Sequence, residues 1–115
     1  MSRYHRDLGF PDDVVGPSRE ERLTYTAHAR YAARQDRVPL DSLPEWLPDV
    51  FDLIEVEIEG GIERKWVVRF TSEYQPERRR DYVLVVTADY LVKTMWVNHT
   101  DDQHGTLDRS KYDRP

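Results

Sequence analysis

The sequence predicts an α+β domain in which two N-terminal helices pack on a four-stranded antiparallel meander sheet. Three observations carry that expectation. Helix signals are confined to the first half of the chain, the hydrophobic period switches to two after Phe51, and the last strands are joined by very short turns. Turns as short as those at 60–61 and 88–89 admit only antiparallel hairpins.

Element by element, residues 1–16 read as an irregular N-terminal arm and 17–115 as one domain. "PSREER" opens a helix with Ser18 as N-cap and Glu21 closing a capping box, running to about Asp36. Leu23, Ala27, Tyr31 and Arg34 would form its stripe, with Tyr25, His28 and Ala32 on the flank. A second, short helix fits "LDSLPEWLPD", with Pro44 in its first turn and Pro48 at its end.

"FDLIEVEIEGG" alternates Ile54, Val56 and Ile58 with Glu55, Glu57 and Glu59. The three glutamates read as the solvated, aggregation-blocking face of an edge strand. "IERKWVVRFT" follows, then "YVLVVT", apolar on both faces and therefore central, then "YLVKTMWVN". A two-residue turn at Ala88–Asp89 would put Tyr90, Val92, Thr94, Trp96 and Asn98 on one face with Val83 and Val85. Leu91, Lys93, Met95 and Val97 would share the other face with Tyr82, Leu84 and Val86, and the helices are expected there.

At 115 residues the chain can hold one core without covalent staples, and it has no cysteine. No secretion signal or membrane-length apolar run is legible, so a cytoplasmic location and no membrane contact are expected. The net charge of −5 is segregated: residues 41–63 hold eight acids and no base, leaving 14 acids against 17 bases elsewhere. A basic surface opposite an acidic one is therefore compatible with the composition.

The polar run after the last strand, "VKTMWVNHTDDQHGTLDRSKY", concentrates titrating and hydrogen-bonding side chains. His28 is of the right chemistry for a general acid or base, with a helix-surface histidine as the bland alternative. Lys93 can stabilise negative charge developing on phosphate, or simply guard a strand. Trp96, beside Thr94 and Asn98, is suited to stacking on a base. Arg78, Arg79 and Arg80 should lie at the same sheet end as Asn98–His104 and form a phosphate rim there. His99, Asp101, Asp102 and His104 are metal-type side chains without a recognisable ligand spacing, so no metal and no cofactor are expected.

With "LTYTAHARYAARQDRVPLDSLPEWL" and "VKTMWVNHTDDQHGTLDRSKY" in view, the chain resembles small bacterial and phage toxins of the RelE/barnase/colicin-type ribonuclease superfamily. Some relatives carry an "HA-x-x-R-x-x-x-R"-like first helix; His28, Ala29 and Arg34 match parts of it, while Arg30 and Arg37 are off its spacing. The resemblance implies a metal-independent endoribonuclease that promotes attack of the ribose 2′-OH on the adjacent phosphate. It would assign His28 as acid or base and Lys93 and Arg34 as electrostatic stabilisers, with Thr94, Trp96, Asn98 and His104 lining the RNA site. RNA or the ribosome and a cognate antitoxin would be the partners. The competing expectation is a non-enzymatic, for example phage-encoded, protein that binds a host protein through its acidic segment or open sheet face.

Overall fold

A computed structural model describes residues 1–71 and 80–99, with only the backbone of Arg80 and His99. It contains a six-stranded mixed sheet and, among the described residues, one helix longer than a single turn. The elements are β1 (Ser2–His5), β2 (Thr24–Tyr25), α1 (Ala27–Gln35), β3 (Asp52–Glu59), β4 (Ile62–Thr71), β5 (Arg80–Thr87) and β6 (Leu91–His99). The spatial order is β1-β3-β4-β5-β6-β2. The expected meander of four strands forms as β3 to β6, but two helices on a four-stranded antiparallel sheet is not the fold. The sheet gains β1 antiparallel to β3 and β2 parallel to β6.

Both extra strands come from the N-terminal quarter. "SRYH" pairs Arg3 with Glu57 and His5 with Glu55, which makes β3 an interior strand. The stretch "TYT", two β-branched residues around an aromatic, is a poor helix and a good strand. Thr24 and Tyr25 accordingly lie beside Leu91 and Val92. Ser18 does not cap a helix; its hydroxyl accepts from the Glu20 N–H in a local turn. The five residues 18–22 are all exposed and offer no apolar face to hold a helix against the sheet.

The second expected helix is also absent. Leu40–Ser42 makes only one 3-10 turn, and Leu43 before Pro44 is extended at φ −71, ψ 129. Proline disfavours the helical region for its predecessor and clashes within a helix, so Pro44 stops the turn. The segment is fastened instead by the Tyr25 hydroxyl, which donates to the Pro44 carbonyl at 2.7 Å, and by Leu23 N–H donating to Glu45 O at 2.7 Å.

Bulges set the faces. In β6, Thr94 opposes Val85 and Val92 opposes Val86, so Lys93 is the extra residue and points to solvent. The expected placement of Lys93 on the helix side is thus overturned, because the bulge carries Val92 into the core in its place. The turn before it is longer than two residues. Tyr90 N–H donates to Thr87 O, and Tyr90 sits at φ 62 with its ring 5.8 Å from that of Trp66. A second bulge, at Ile54, sends Ile54 and Val56 to opposite faces despite their alternation. At the β3–β4 hairpin, Gly60 and Gly61 both have positive φ, as a type I′ turn requires.

The main core lies between one sheet face and the helix layer. It contains Val56, Trp66, Val68, Leu84, Val86, Val92 and Met95, with Ala29 and Ala33 of α1. A smaller cluster of Ile54, Val67 and Val83, flanked by Val85 and Trp96, lies on the other face. Among the described residues no helix is long and apolar enough to cross a membrane.

Candidate functional site

The position of α1 follows from the edge of β6. Beyond Val92 that edge has no strand partner among the described residues, because β2 ends at Tyr25. The side chains capping α1 take over at its two ends. The Thr26 hydroxyl donates to the Lys93 carbonyl at 3.1 Å, and the Asp36 carboxylate accepts from the Val97 N–H at 3.0 Å. Ten helical steps of about 1.5 Å nearly equal the four strand steps of about 3.4 Å between those anchors. The helix therefore runs alongside β6 in the same direction and covers its edge.

The caps are complete at both ends. The Thr26 hydroxyl accepts from the Ala29 N–H. At the other end Val38 N–H reaches Ala33 O and Arg37 N–H reaches Arg34 O, the paired bonds of a Schellman motif. Arg37 occupies the left-handed position at φ 59, where glycine is the usual residue.

The buried alanines fix which side of α1 faces water. With Ala29 and Ala33 fully buried, Tyr31 points outward and is 59% exposed. His28, Arg30, Arg34 and Arg37 are exposed around it, and Lys93 is exposed on the bulge beside the first turn. Arg30, Arg34, Arg37 and Lys93 form no ion pair with a described residue. An electropositive ridge with a central aromatic results.

The acidic segment is organised differently. Glu57 is buried and bridges Lys65 at 3.0 Å and Arg3 at 3.2 Å, across three neighbouring strands. This overturns the expectation of a solvated glutamate row on an edge strand. Burial pushes the Glu57 carboxyl up, but the hydrogen bond and charge of Lys65, joined by Arg3, outweigh it and hold the group below the usual range. Asp52 pairs with Arg69 and Arg6, and Glu45 with Arg22. Glu63 accepts from Trp66 Nε1 and from the Val15 and Gly16 N–H groups. Burial acts upward on Glu63 also, and those three donors together bring it below its ordinary value.

The expected site residues fall into groups. His28, Arg34 and Lys93 all lie on or beside α1. Thr94, Trp96 and Asn98 oppose Val85, Val83 and Asp81 on the sheet face away from the main core, so they do not join that group. Arg80 and His99 are backbone partners, which brings the start of β5 and the end of β6 together. Arg78, Arg79 and His104 lie outside the described residues, as do Asp101 and Asp102 of the loop weighed as a metal site. Sequence reasoning missed Arg30, Tyr31 and Arg37 as members of the exposed face. The signal was the Ala29/Ala33 pair, whose four-residue spacing marks a close-packing stripe.

No family model, no curated protein and no solved structure matches the chain.

Proposed function

We propose that the chain acts on RNA as a toxin-type protein, engaging the phosphate backbone with the exposed face of α1. The observation that carries the reading is the ridge of Arg30, Arg34, Arg37 and Lys93 around exposed Tyr31, without an ion pair to any described residue in a chain of net charge −5. Unpaired cations on one face attract polyanions, and an exposed aromatic stacks on unpaired bases whatever their sequence. RNA or the ribosome is the proposed target, with a cognate antitoxin as the protein that would cover the ridge.

In its catalytic form, the reading assigns His28 to take the 2′-OH proton as that oxygen attacks phosphorus. The bond from phosphorus to the 5′-oxygen breaks, a protonated donor returns a proton to that oxygen, and Lys93 and Arg34 stabilise the added negative charge. Induced expression of wild type and His28→Ala in bacteria tests this. RNA cleavage and growth arrest by wild type but not by the folded variant are expected; cleavage by both removes His28 from the mechanism.

Binding is tested separately by fluorescence anisotropy with a single-stranded RNA at several salt concentrations. Replacing Arg30, Arg34 and Arg37 together with Gln should reduce the slope of log affinity against log salt by about 2, since each single-strand phosphate contact contributes roughly 0.7. An unchanged slope would remove α1 from the interface. A second reading, a host protein bound by the acidic segment, is favoured by Trp46 and Val50, exposed at 48% and 84% within it. Trp46→Ala should then abolish partner binding and leave RNA binding intact.

A further inference from the structure

Beside the basic ridge lies a cavity of about 590 Å³, bounded by β2, α1 and the 40–45 segment. That volume is in the range of sites for small organic groups. Its apolar walls include the Tyr25 ring, Leu40 and Leu43. Tyr25 is locked, because its hydroxyl donates to the Pro44 carbonyl, and burial, with Tyr82 nearby, pushes that phenol well above the usual tyrosine range. Arg22 and Glu45, paired at 2.6 Å, also line it, with the Arg22 guanidinium 6.0 Å from the Trp46 ring centroid.

Two charged lining residues are left over. Arg30 and Asp41 form neither an ion pair nor a side-chain hydrogen bond with a described residue, yet both line this cavity. One unpaired cation and one unpaired hydrogen-bond acceptor beside a wall of Tyr25, Leu40 and Leu43 match the parts of a nucleotide. A phosphate suits the guanidinium, a ring suits the leucine and tyrosine walls, and a ring amine suits the carboxylate.

We propose that this cavity receives one base of a single-stranded RNA lying along α1, with Arg30 on the adjoining phosphate and the Asp41 carboxylate accepting from the exocyclic amine of cytosine or adenine. The inference rests on the RNA reading above and adds a base preference to it. Uracil presents a carbonyl where cytosine presents its amine, so it would face the carboxylate acceptor to acceptor and be disfavoured.

The test uses fluorescein-labelled octamers of C, A and U with 2′-O-methyl riboses, which cannot undergo 2′-OH attack. The full chain is compared with Asp41→Asn, an exposed and near-isosteric change whose fold is checked by circular dichroism. Wild type should bind the C and A octamers roughly tenfold more tightly than U, the discrimination typical of one good polar pair to a base edge. In Asp41→Asn the preference should shrink to within about twofold while the salt slope stays unchanged, because an amide can donate to the uracil carbonyl as well as accept. Equal binding of the three octamers by wild type, or an undiminished preference in the variant, overturns the base pocket and leaves the ridge reading standing. No binding of any octamer at low salt overturns both.

Discussion

The β3–β4 hairpin and α1 handle charge in opposite ways. In the hairpin, Glu57 meets Arg3 and Lys65 and Asp52 meets Arg69 across strands, while Glu63 accepts from Trp66 on its own strand and from the Val15 and Gly16 N–H groups of the preceding loop. On α1, Arg30 and Arg34 face water, and the acid that follows it, Asp36, is occupied by the Val97 N–H. Net charge therefore says little about what a partner meets. In a chain of −5, Glu45, Asp52 and Glu57 of the acidic segment are paired with cations, while Arg30 and Arg34 stay exposed on one short helix. What decides accessibility is whether a charge has a neighbour at cross-strand distance.

The largest effect should come from breaking the hairpin side of that contrast. Glu57→Ala would leave Lys65, 26% exposed, and Arg3, 42% exposed, around a buried position without their carboxylate. Partial exposure lets water reach both cations, so a loss of about 1–3 kcal/mol is expected by denaturant titration. Because β1 pairs, among the described strands, with β3 alone, hydrogen exchange at the β1 amides should speed up more than elsewhere. A neutral result would show that the hairpin charges are as dispensable as surface pairs.

Acid should act on the same region. The Glu57 and Glu63 carboxyls both lie below their ordinary value of 4.5 in the folded chain. Groups depressed on folding contribute stability above the unfolded pKa, and that contribution disappears as pH falls through the lower, folded pKa. Melting temperature should therefore be level from neutrality to roughly pH 5.5 and fall below about pH 4.5. In Glu57→Ala the fall should be shallower. An identical acid slope in that variant would move the pH dependence to other carboxylates.

An intermediate effect is expected where α1 is attached. Thr26→Ala removes the cap accepted from Ala29 N–H and the bond to Lys93 O together. About 1 kcal/mol of stability should be lost, read as a fall in melting temperature. RNA affinity should drop with it, since the ridge depends on an ordered helix. A stable variant with reduced affinity would place Thr26 itself in the interface.

The legible parts of the fold were those written in local alternation. Trp66, Val68 and Phe70 share the core face with Tyr82, Leu84 and Val86, as their period of two implies. What was illegible depended on partners remote in sequence. "SRYH" has no strand pattern of its own and becomes a strand because β3 offers Glu55 and Glu57 opposite His5 and Arg3. The helix start at Ala27 rather than Ser18 was decided by β6, whose edge draws in Thr24 and Tyr25. Bulges defeat any fixed period, which is why Ile54 and Lys93 sit on unexpected sides. For the candidate site, His28 and Arg34 lie on α1, while Lys93, expected on the helix side of the sheet, is exposed on the β6 bulge. The alternation of β6 placed Thr94 and Trp96 opposite Val85 and Val83, with Asn98 on the same face, as the register shows, and that face is not the one α1 covers.

The smallest effect should have the opposite sign and sharpens the contrast most. Arg37 holds φ 59 at the Schellman position, a conformation that costs a residue with a Cβ on the order of 1 kcal/mol. The hairpin resolves the same geometric demand with Gly60 and Gly61. Arg37→Gly should accordingly stabilise the chain by about 0.5–1 kcal/mol in denaturant titration, while the helix keeps its Val38–Ala33 bond. RNA affinity should decrease at the same time, with a salt slope lower by roughly 0.7. Stability gained and binding lost would mean that the strained arginine is kept for what it contacts. Stability gained with binding unchanged would trim the ridge to Arg30, Arg34 and Lys93, and unchanged stability would show the left-handed turn to be relaxed without glycine.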